Sequence, residues 1–369
     1  MIMAGRVLNG IWKLLTSLEL AVILVLILTA FMVVGALLPQ GMDDEFYLKA
    51  WDEGAYHTLR DLGLLDVFHR PIFLLPAVLL GVNLLCCSID ILRKFLPGTI
   101  TARYVVSALY HVALVGMFVG FFATYLFSYG GELTIKPGES VRVQLKKGET
   151  AWAGLAPRLG LAAPQNEDTP YELRLKSFET TYVEKEGRTF VKDWLSELEV
   201  VDGGAVVAAK RIEVNDPLVY GGMKYYQAFF DQKIKFDVGG EVRELGPGEP
   251  LRVGDETLMA STVTAGTLLA ADGPKPIGPY VELKEMPKDK WHRVTKDIRP
   301  GRRLNQGEPV DVAGHDVTFV SFEEASGLTY KRDAAVKFLW VLWIAFTALI
   351  AVRIYVQEAA LTWFRKENS

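Results

Sequence analysis

Four long apolar segments constrain this chain more than any other feature of its sequence. A helix needs roughly 20 mainly apolar residues to cross the hydrocarbon core of a bilayer. Segments of about that length run from Leu20 to Leu38, from Ile72 to Leu92, from Tyr104 to Phe127 and from Val336 to Val356. Half of the 369 residues are apolar, but 23% are charged, which is too many for a bundle of spans alone. The sequence therefore predicts several membrane spans together with one water-exposed domain.

The first segment has the features of a retained span rather than those of a cleaved signal peptide. Its apolar run is longer than the apolar region of a signal peptide, and the following GALLPQGMDDE contains no small-x-small cleavage pattern. Pro39 follows the run directly and predicts that the helix ends at the membrane interface.

The orientation of the spans is predicted by the charges that flank them, because cytoplasmic flanks are rich in Lys and Arg. Basic residues lie before span one, between spans two and three, and after span four, whereas the loop 39–70 is acidic. The basic residues are Arg6, Lys13, Arg93, Lys94, Arg103, Arg365 and Lys366. We therefore expect both termini in the cytoplasm, and the acidic loop and residues 128–335 on the outer side.

Residues 128–335 have the pattern of a mainly β domain. Short alternating runs such as YELRLKSFETTYVEK and MKYYQAFFDQKIKFDV are rich in Val, Thr, Tyr and Phe, and turn sequences such as DGG and KPGE separate them. This pattern predicts an antiparallel sandwich or open barrel. The expected fold class is mixed: a four-span α-helical bundle with a large extracytoplasmic β domain between spans three and four. The expected regions are 1–127, 128–335 and 336–369.

Composition and motifs exclude several classes of function. The net charge is −4 and the chain contains no basic run, so a nucleic-acid partner is not expected. The β-rich region contains no carboxylate pair, Ser/His/Asp order, Gly-rich phosphate loop or zinc spacing, so we predict no catalytic residues there. The only two cysteines, Cys86 and Cys87, are adjacent and therefore provide no disulfide framework. They are packing residues or, alternatively, a redox or metal site.

Two histidines associated with the spans are candidate metal ligands. His111 lies seven residues inside span three, about 10 Å into the membrane at 1.5 Å per residue. An ionisable residue at that depth indicates a functional site unless its imidazole simply bonds to a neighbouring helix. His69 precedes Pro71 at the predicted outer mouth of span two, where an interfacial histidine is the alternative reading. His292 and His315 lie in a polar stretch and at a turn, and we expect both to be surface residues.

A single haem between His69 and His111 is disfavoured by their expected depths. Axial nitrogens on one iron lie about 4 Å apart, given metal–imidazole bonds near 2 Å. The two histidines are expected at opposite depths of antiparallel spans, separated by roughly 15 to 20 Å of a core about 30 Å thick. Each would then need a second ligand from elsewhere.

The span sequences and one stretch of the β-rich region resemble the ResB (CcsB) family of system II cytochrome c maturation. The first span ends in a Gly-x-x-x-Pro-Gln pattern, the second carries FHRPIF and a late NLLCC, and the third carries a histidine and a following Gly-Glu strand. The most specific pattern is Val-Asn-x-Pro-Leu-x-Tyr-x-Gly followed by Tyr-Gln, formed by Val214, Asn215, Pro217, Leu218, Tyr220, Gly222, Tyr226 and Gln227.

The resemblance implies a function in haem handling. Members of this family work with a second membrane protein, CcsA, to carry haem outward, to keep its iron reduced and to ligate it to the CxxCH of apocytochrome c. It implies a bacterial inner membrane location, transiently bound haem b, and His69 and His111 as the haem-iron ligands. The tryptophan-rich motif of CcsA is absent here, so this chain would be one half of the synthase.

One departure from the family pattern adds a third candidate residue. Arg70 stands where relatives often carry a serine, and its guanidinium could pair with a haem propionate through charge-assisted hydrogen bonds. Two other functions remain open at this point. The chain could be a membrane-anchored β-domain scaffold or sensor without a cofactor, or a b-type haem electron carrier.

Overall fold

The computed structural model describes residues 2–95, 102–185, 187–285 and 301–367. Eight α-helices occur in these ranges, and the longest four correspond to the predicted spans. The helices are α1 Ile2–Leu15, α2 Leu18–Leu37, α3 Asp44–Ala50, α4 Glu53–Asp61, α5 Pro71–Phe95, α6 Ala102–Phe127, α7 Ala151–Leu155 and α8 Val336–Glu367.

Four helices are long and apolar enough to cross a bilayer, as predicted. Their apolar stretches are Leu18–Leu37, Pro71–Arg93, Val105–Phe127 and Val336–Tyr355. Few of their side chains are buried within the chain itself, because in a membrane their packing partners are lipids or other proteins. The protein therefore has the helices of a multi-pass membrane protein, and the predicted mixed fold class is confirmed.

The chain separates into two compact units. One unit contains Met1–Tyr125 and Ala335–Ser369 and includes all four apolar helices. The other contains Leu126–Ala334 and is mainly β.

The helix of span one is preceded by a separate helix that the hydropathy pattern does not reveal. Ser17 adopts extended backbone with φ −84° and ψ 138°, and its side chain accepts a hydrogen bond from the backbone N–H of Leu20. A serine in this conformation is a favourable N-cap, because it satisfies one of the unpaired N–H groups in the first turn. The chain consequently breaks between α1 and α2 instead of forming one long helix.

Helices α6 and α8 pack closely along the two glycines of span three. A Cβ added to Gly116 would lie 2.9 Å from Cδ1 of Leu342, and one added to Gly120 would lie 2.6 Å from Cδ2 of Leu339. Further along the same pair of helices, the Tyr110 ring stacks on Phe346 with centroids 4.8 Å apart. The small-xxx-small spacing therefore serves helix packing here.

The mainly β unit contains fifteen strands in its described part. They are β1 Tyr129–Ile135, β2 Ser140–Leu145, β3 Glu167–Lys185, β4 Arg188–Asp202, β5 Ala205–Ile212, β6 Leu218–Tyr220, β7 Met223–Val238, β8 Glu241–Leu245, β9 Pro250–Val253, β10 Glu256–Ala260, β11 Thr264–Ala270, β12 Gly273–Glu285, β13 Arg302–Asn305, β14 Pro309–Val312 and β15 His315–Arg332.

These strands form two sheets that share two apolar cores. The first sheet has the order β1-β15-β7-β6, with β14 paired to β15 and β8 to β7. The second has the order β5-β4-β3-β11-β12-β10-β9, with β2 paired to β3 and β13 to β12. Leu173, Leu198 and Tyr225 lie in one core, and Phe236, Phe319 and Leu283 lie in the other. Since each core draws side chains from both sheets, the unit is a sandwich.

The sandwich departs from the expected antiparallel pairing at one place. Strands β11 and β3 pair in parallel, with Thr267 opposite Thr181 and Leu268 opposite Tyr182. The other pairings between described strands are antiparallel. The parallel pair joins segments more than eighty residues apart, so local sequence patterns carry no signal for it.

The Val-Asn-x-Pro-Leu-x-Tyr-x-Gly pattern forms a hairpin that ends in a buried polar cluster. Strands β6 and β7 are joined at Gly221 and Gly222, whose φ values are 57° and 78°, a conformation that favours glycine. In β7, Oε1 of the buried Gln227 accepts hydrogen bonds from Ser196 Oγ at 2.6 Å and Ser326 Oγ at 2.8 Å. This cluster links β4, β7 and β15, so the role visible for Gln227 is structural.

Candidate functional site

His69 ends a short 3-10 turn, Val67–His69, directly before α5. Gln40, at the end of the Gly-x-x-x-Pro-Gln pattern, fixes this turn to the end of α2. Its side-chain oxygen accepts from the Val67 N–H at 3.0 Å, and its side-chain nitrogen donates to the carbonyls of Leu38 and Leu64, each at 3.0 Å. The Pro-Gln part of the pattern thus positions the backbone that carries His69.

Gly35 in α2 leaves space for the Phe68 side chain of the same turn. A Cβ at this glycine would lie 2.3 Å from Cζ and 2.6 Å from Cε2 of Phe68, so only glycine lets the ring rest on α2. The Phe68 ring also contacts Phe73 edge-on, with centroids 5.3 Å apart. Because Phe68 immediately precedes His69, the space at Gly35 helps to determine where the imidazole lies.

Within the part of the chain that the structure describes, the His69 imidazole has one hydrogen-bonded nitrogen and one free nitrogen. Its Nδ1 lies 2.6 Å from Oδ1 of Asp66, and about two thirds of the side chain is exposed. The Tyr125 ring of α6 lies nearby, with its centroid 6.0 Å from that of His69. A carboxylate on Nδ1 orients an imidazole and strengthens Nε2 as a donor to a metal, which is the usual arrangement around metal-ligating histidines.

The His111 imidazole likewise has a hydrogen-bonded Nδ1 and an Nε2 without a partner among the described residues. Its Nδ1 lies 2.7 Å from the carbonyl oxygen of Ser107, one helical turn earlier in α6. A carbonyl oxygen only accepts hydrogen bonds, so Nδ1 carries the hydrogen and Nε2 of the neutral ring keeps its lone pair. The side chain is half-buried.

Both histidines lie along the α5–α6 seam, but far apart. His111, Phe118 and Tyr125 follow one another at intervals of seven residues and so share one face of α6. Phe118 on that face reaches α5, where its ring lies 3.2 Å from the Cβ position of Gly81, and Tyr125 reaches His69. The fourteen residues from His111 to Tyr125 correspond to about 21 Å of helix, so one iron cannot bind both imidazoles of a single chain.

Arg70, the third predicted residue, is exposed at the start of α5. Its aliphatic carbons lie 3.4 to 3.6 Å from the Cβ position of Gly63, and its guanidinium forms no ion pair with the part of the chain that the structure describes. Arg70 follows His69 in the chain, so its exposed cation is available to bind a carboxylate of an incoming ligand.

The cysteine pair lies far from His69 along α5. Cys86 is buried and Cys87 is half-buried, and both are free thiols. The seventeen residues from His69 to Cys86 correspond to about 25 Å of helix, so these groups cannot share a ligand. Among the described residues, no cluster of three or more His, Cys, Asp or Glu side chains could hold a metal ion.

The other histidines differ in their surroundings. His315 begins β15 directly after the turn at Ala313 and Gly314, in keeping with the expected turn position, and it is exposed. His292 lies outside the described residues. His57, which is not among the predicted ligands, lies on α4 with Nε2 3.7 Å from a Glu53 carboxylate oxygen. Its only sequence signal is the Glu-x-x-x-His spacing on a short capped helix.

The donor set along the α5–α6 seam fits haem iron. Haem is commonly held by neutral imidazole nitrogen, and both His69 and His111 offer Nε2 while Nδ1 is engaged elsewhere. When bound, the haem would supply the iron and the vinyl groups that react with cysteine thiols. The chain's residues would bind the iron, orient the imidazoles and pair with a propionate.

In the mainly β unit, burial strongly alters the pKa of one carboxyl group, that of Glu324. This residue lies opposite Gln232 in the β15–β7 pairing. Removal from water raises the pKa of Glu324 to about 7, and the Gln232 amide offsets part of this shift.

A stability change with pH follows from this shift. The carboxyl binds a proton more tightly in the folded state than in the unfolded state, where its pKa is near 4.5. Its stabilising contribution is therefore complete below pH 4.5 and is lost as pH rises through 7. Allowing for partial exposure, we expect a loss of about 2 kcal/mol in the free energy of unfolding. Urea unfolding between acid and mildly alkaline pH measures this loss.

A neighbouring residue provides the control for this measurement. Glu324→Gln should flatten the pH dependence, because a neutral amide no longer titrates. Glu323→Gln should leave it in place, since Lys136 and Lys235 hold the pKa of the exposed Glu323 below its usual value. An unchanged slope in the Glu324 variant would contradict this assignment.

Comparison with known proteins identifies the family of this chain. No curated protein matches the chain. The family model described as ResB-like matches residues 18–108 and 101–298, which include α2, α5, α6, His69 and His111. Membership of this family implies a role in cytochrome c biogenesis. Because the two matched segments together span well over half of the sequence, the chain belongs to the ResB-like family.

Proposed function

We propose that this protein is one subunit of a system II haem-transport and haem-ligation complex in the bacterial inner membrane. It works with a CcsA-type membrane protein and delivers reduced haem b to the CxxCH motif of apocytochrome c. The observation that carries this proposal is the pair of imidazoles on the α5–α6 seam, each with Nδ1 occupied and Nε2 free, in a chain of the ResB-like family.

The separation of the two imidazoles favours two successive haem positions. Since His69 and His111 lie about 21 Å apart along α6, each binds a different haem or the same haem at a different time. At each position this chain would supply one imidazole to the iron, and the CcsA-type partner would supply the other protein ligand. Haem would therefore be held weakly by this chain alone.

The orientation of the chain assigns these positions to the two sides of the membrane. With the basic flanks in the cytoplasm, His111 lies towards the cytoplasmic side and His69 at the outer surface. Haem then enters near His111 and leaves near His69. The mainly β unit lies on the outer side, where it holds the apocytochrome or the partner.

Reconstitution of cytochrome maturation tests this function. The gene is expressed with and without a CcsA-type partner in a bacterium that lacks its own maturation systems, together with a reporter apocytochrome c. We expect covalent haem in the reporter only when both proteins are present. Maturation by the partner alone would contradict the proposal.

The absorption spectrum of the purified protein separates the two rival functions. Stable bis-histidine haem in this chain alone would indicate a b-type electron carrier. Absence of haem both alone and with the partner would indicate a scaffold or sensor. The proposed function requires haem that is retained in the complex and largely lost from the isolated chain.

The role of Arg70 gives a separate prediction. Arg70→Ala should reduce haem retention in the purified complex by roughly 10-fold, because a charge-assisted hydrogen bond contributes about 1.5 to 3 kcal/mol. Arg70→Lys keeps the charge but loses the two-pronged geometry, so retention should be intermediate. The haem-to-protein ratio after purification measures both effects. Unchanged retention in Arg70→Ala would remove the propionate contact from the proposal.

A further inference from the structure

We propose that α1 is an interfacial anchor that lies in the plane of the membrane, with its apolar face among the lipid chains and its basic face at anionic headgroups. The observations that carry this are the division of α1 into an exposed apolar face and a basic face, and its junction with a membrane span two residues away. The inference does not depend on the proposed haem function.

Between Arg6 and Leu15, the side chains of α1 separate into two faces around the helix axis. At 100° per residue, one continuous arc of about 160° is wholly apolar. The side chains of this arc are Val7, Leu8, Ile11, Trp12, Leu14 and Leu15. Val7, Leu8, Ile11 and Leu14 are at least half exposed, up to 72% for Leu8. These four side chains form an apolar surface that the described part of the chain leaves exposed.

The opposite arc of α1 is polar and carries only positive charge. It contains Arg6, Asn9, Gly10 and Lys13, and the helix has no acidic residue. Basic side chains opposite an apolar face are characteristic of helices that lie on anionic bilayers. We commit to a lipid surface as the occupant, because headgroups of anionic lipids supply negative charge at the level where the basic side chains emerge.

The length of α2 keeps α1 out of the hydrocarbon core. Helix α2 has 20 residues and is uninterrupted from Leu18 to Leu37, so it alone covers the core thickness of about 30 Å. The extended backbone of Ser17 then separates α1 from the span. Helix α1 therefore lies just outside the hydrocarbon core. Its exposed apolar face leaves water by inserting among lipid chains at the membrane interface.

Two contacts from α5 hold α1 at this level. Asn83, which is fully buried, donates from Nδ2 to the carbonyls of Leu15 at 2.8 Å and Ser17 at 3.1 Å. Both carbonyls lie at the corner between α1 and α2. The Leu15 carbonyl is in the last turn of α1, where the helix leaves carbonyls unpaired, and the Ser17 carbonyl also accepts from the Ala21 N–H at 3.4 Å. At the end of the α5 span, the Arg93 guanidinium lies over the Trp12 ring at 4.8 Å. Both Trp and Arg favour the membrane interface.

Site-directed spin labelling of the full-length protein tests the position of α1. In a Cys86→Ala, Cys87→Ala background, single cysteines replace Leu8 and Ile11 on the apolar face or Asn9 and Lys13 on the polar face. The labelled protein is reconstituted into vesicles of phosphatidylcholine and phosphatidylglycerol. Collisions with oxygen, which concentrates in lipid, and with a water-soluble nickel chelate are then compared.

The expected result is an alternation of accessibility with the helical period. Labels at positions 8 and 11 should collide several-fold more with oxygen than with nickel, and labels at positions 9 and 13 should show the reverse. In phosphatidylcholine alone, or in an Arg6→Gln, Lys13→Gln variant, the oxygen preference at position 8 should fall. Using two positions on each face protects the test against the failure of one variant to fold.

Two results would overturn the inference. Equal access of nickel to all four positions would mean that α1 lies in water. Shielding of positions 8 and 11 from both reagents would mean that protein covers the apolar face. An oxygen preference unaffected by lipid charge would retain the anchor but reject the role of anionic headgroups.

Discussion

Replacing His111 by alanine is expected to abolish maturation of c-type cytochromes, and replacing His69 by alanine is expected to do the same. Each imidazole offers a free Nε2 on the α5–α6 seam, and loss of either removes an iron ligand from the proposed haem route. Loss of a residue that merely supports a metal ligand costs roughly 10- to 100-fold, so loss of the ligand should cost at least as much. Covalent haem in a reporter cytochrome measures the effect.

Bound haem in the purified complex distinguishes the two positions. If haem enters near His111, the His111 variant should contain little haem, because loading fails. The His69 variant should retain haem at the earlier position while maturation still stops. Exogenous imidazole should restore part of the maturation in either variant if iron ligation is the role of the lost side chain.

Matched histidine variants provide the control. His57→Ala removes a half-exposed imidazole on a short helix, and His315→Ala removes an exposed imidazole at a strand turn, so both variants should mature cytochrome normally. Asp66→Asn retains His69 but weakens the group that orients it, so maturation should fall by roughly 10-fold or more. Normal maturation in both the His69 and His111 variants would contradict the assignment of these residues.

The spans and the strand content follow from local sequence. Span one was expected at Leu20–Leu38 and is the helix Leu18–Leu37, because the thickness of the hydrocarbon core sets the length of an apolar helix. The run MKYYQAFFDQKIKFDV was expected to be β and forms β7 from Met223 to Val238, because one of its faces is buried at alternate positions.

Features that depend on contacts between distant parts of the chain, or on backbone conformation, could not be predicted from local sequence. The parallel pairing of β11 with β3 joins Thr267 to Thr181, and no turn or period signals it. Helix α1 lies before the predicted start of span one at Leu20, and hydropathy gives no sign of it or of the break at Ser17. In the site, the histidines could be nominated from sequence, but the contact of Gly35 with Phe68 could not, since 33 residues separate them.

Replacing Gly35 by alanine should impair maturation nearly as strongly as loss of a ligand, although residue 35 touches no haem in the proposal. The new Cβ would lie 2.3 Å from Cζ of Phe68, a separation that real Cβ atoms do not adopt. The ring must therefore move, and His69 is the next residue. A displacement of about 1 Å in a positioned reacting group can cost roughly 100-fold in rate. Reporter maturation, with membrane levels of the protein checked by immunoblot, measures the loss.

A compensating substitution distinguishes this positioning effect from general damage. Phe68→Leu shortens the side chain that meets residue 35, so the Gly35→Ala, Phe68→Leu pair should recover much of the maturation lost by Gly35→Ala. Gly10→Ala provides the matched control, because a Cβ at Gly10 meets no atom within 4 Å. If the double variant is as defective as the single one, the space between α2 and the Phe68 ring does not set the position of His69. If the double variant recovers, the pattern requires glycine at position 35 because Gly35 leaves space for the Phe68 ring, which directly precedes the proposed haem ligand His69.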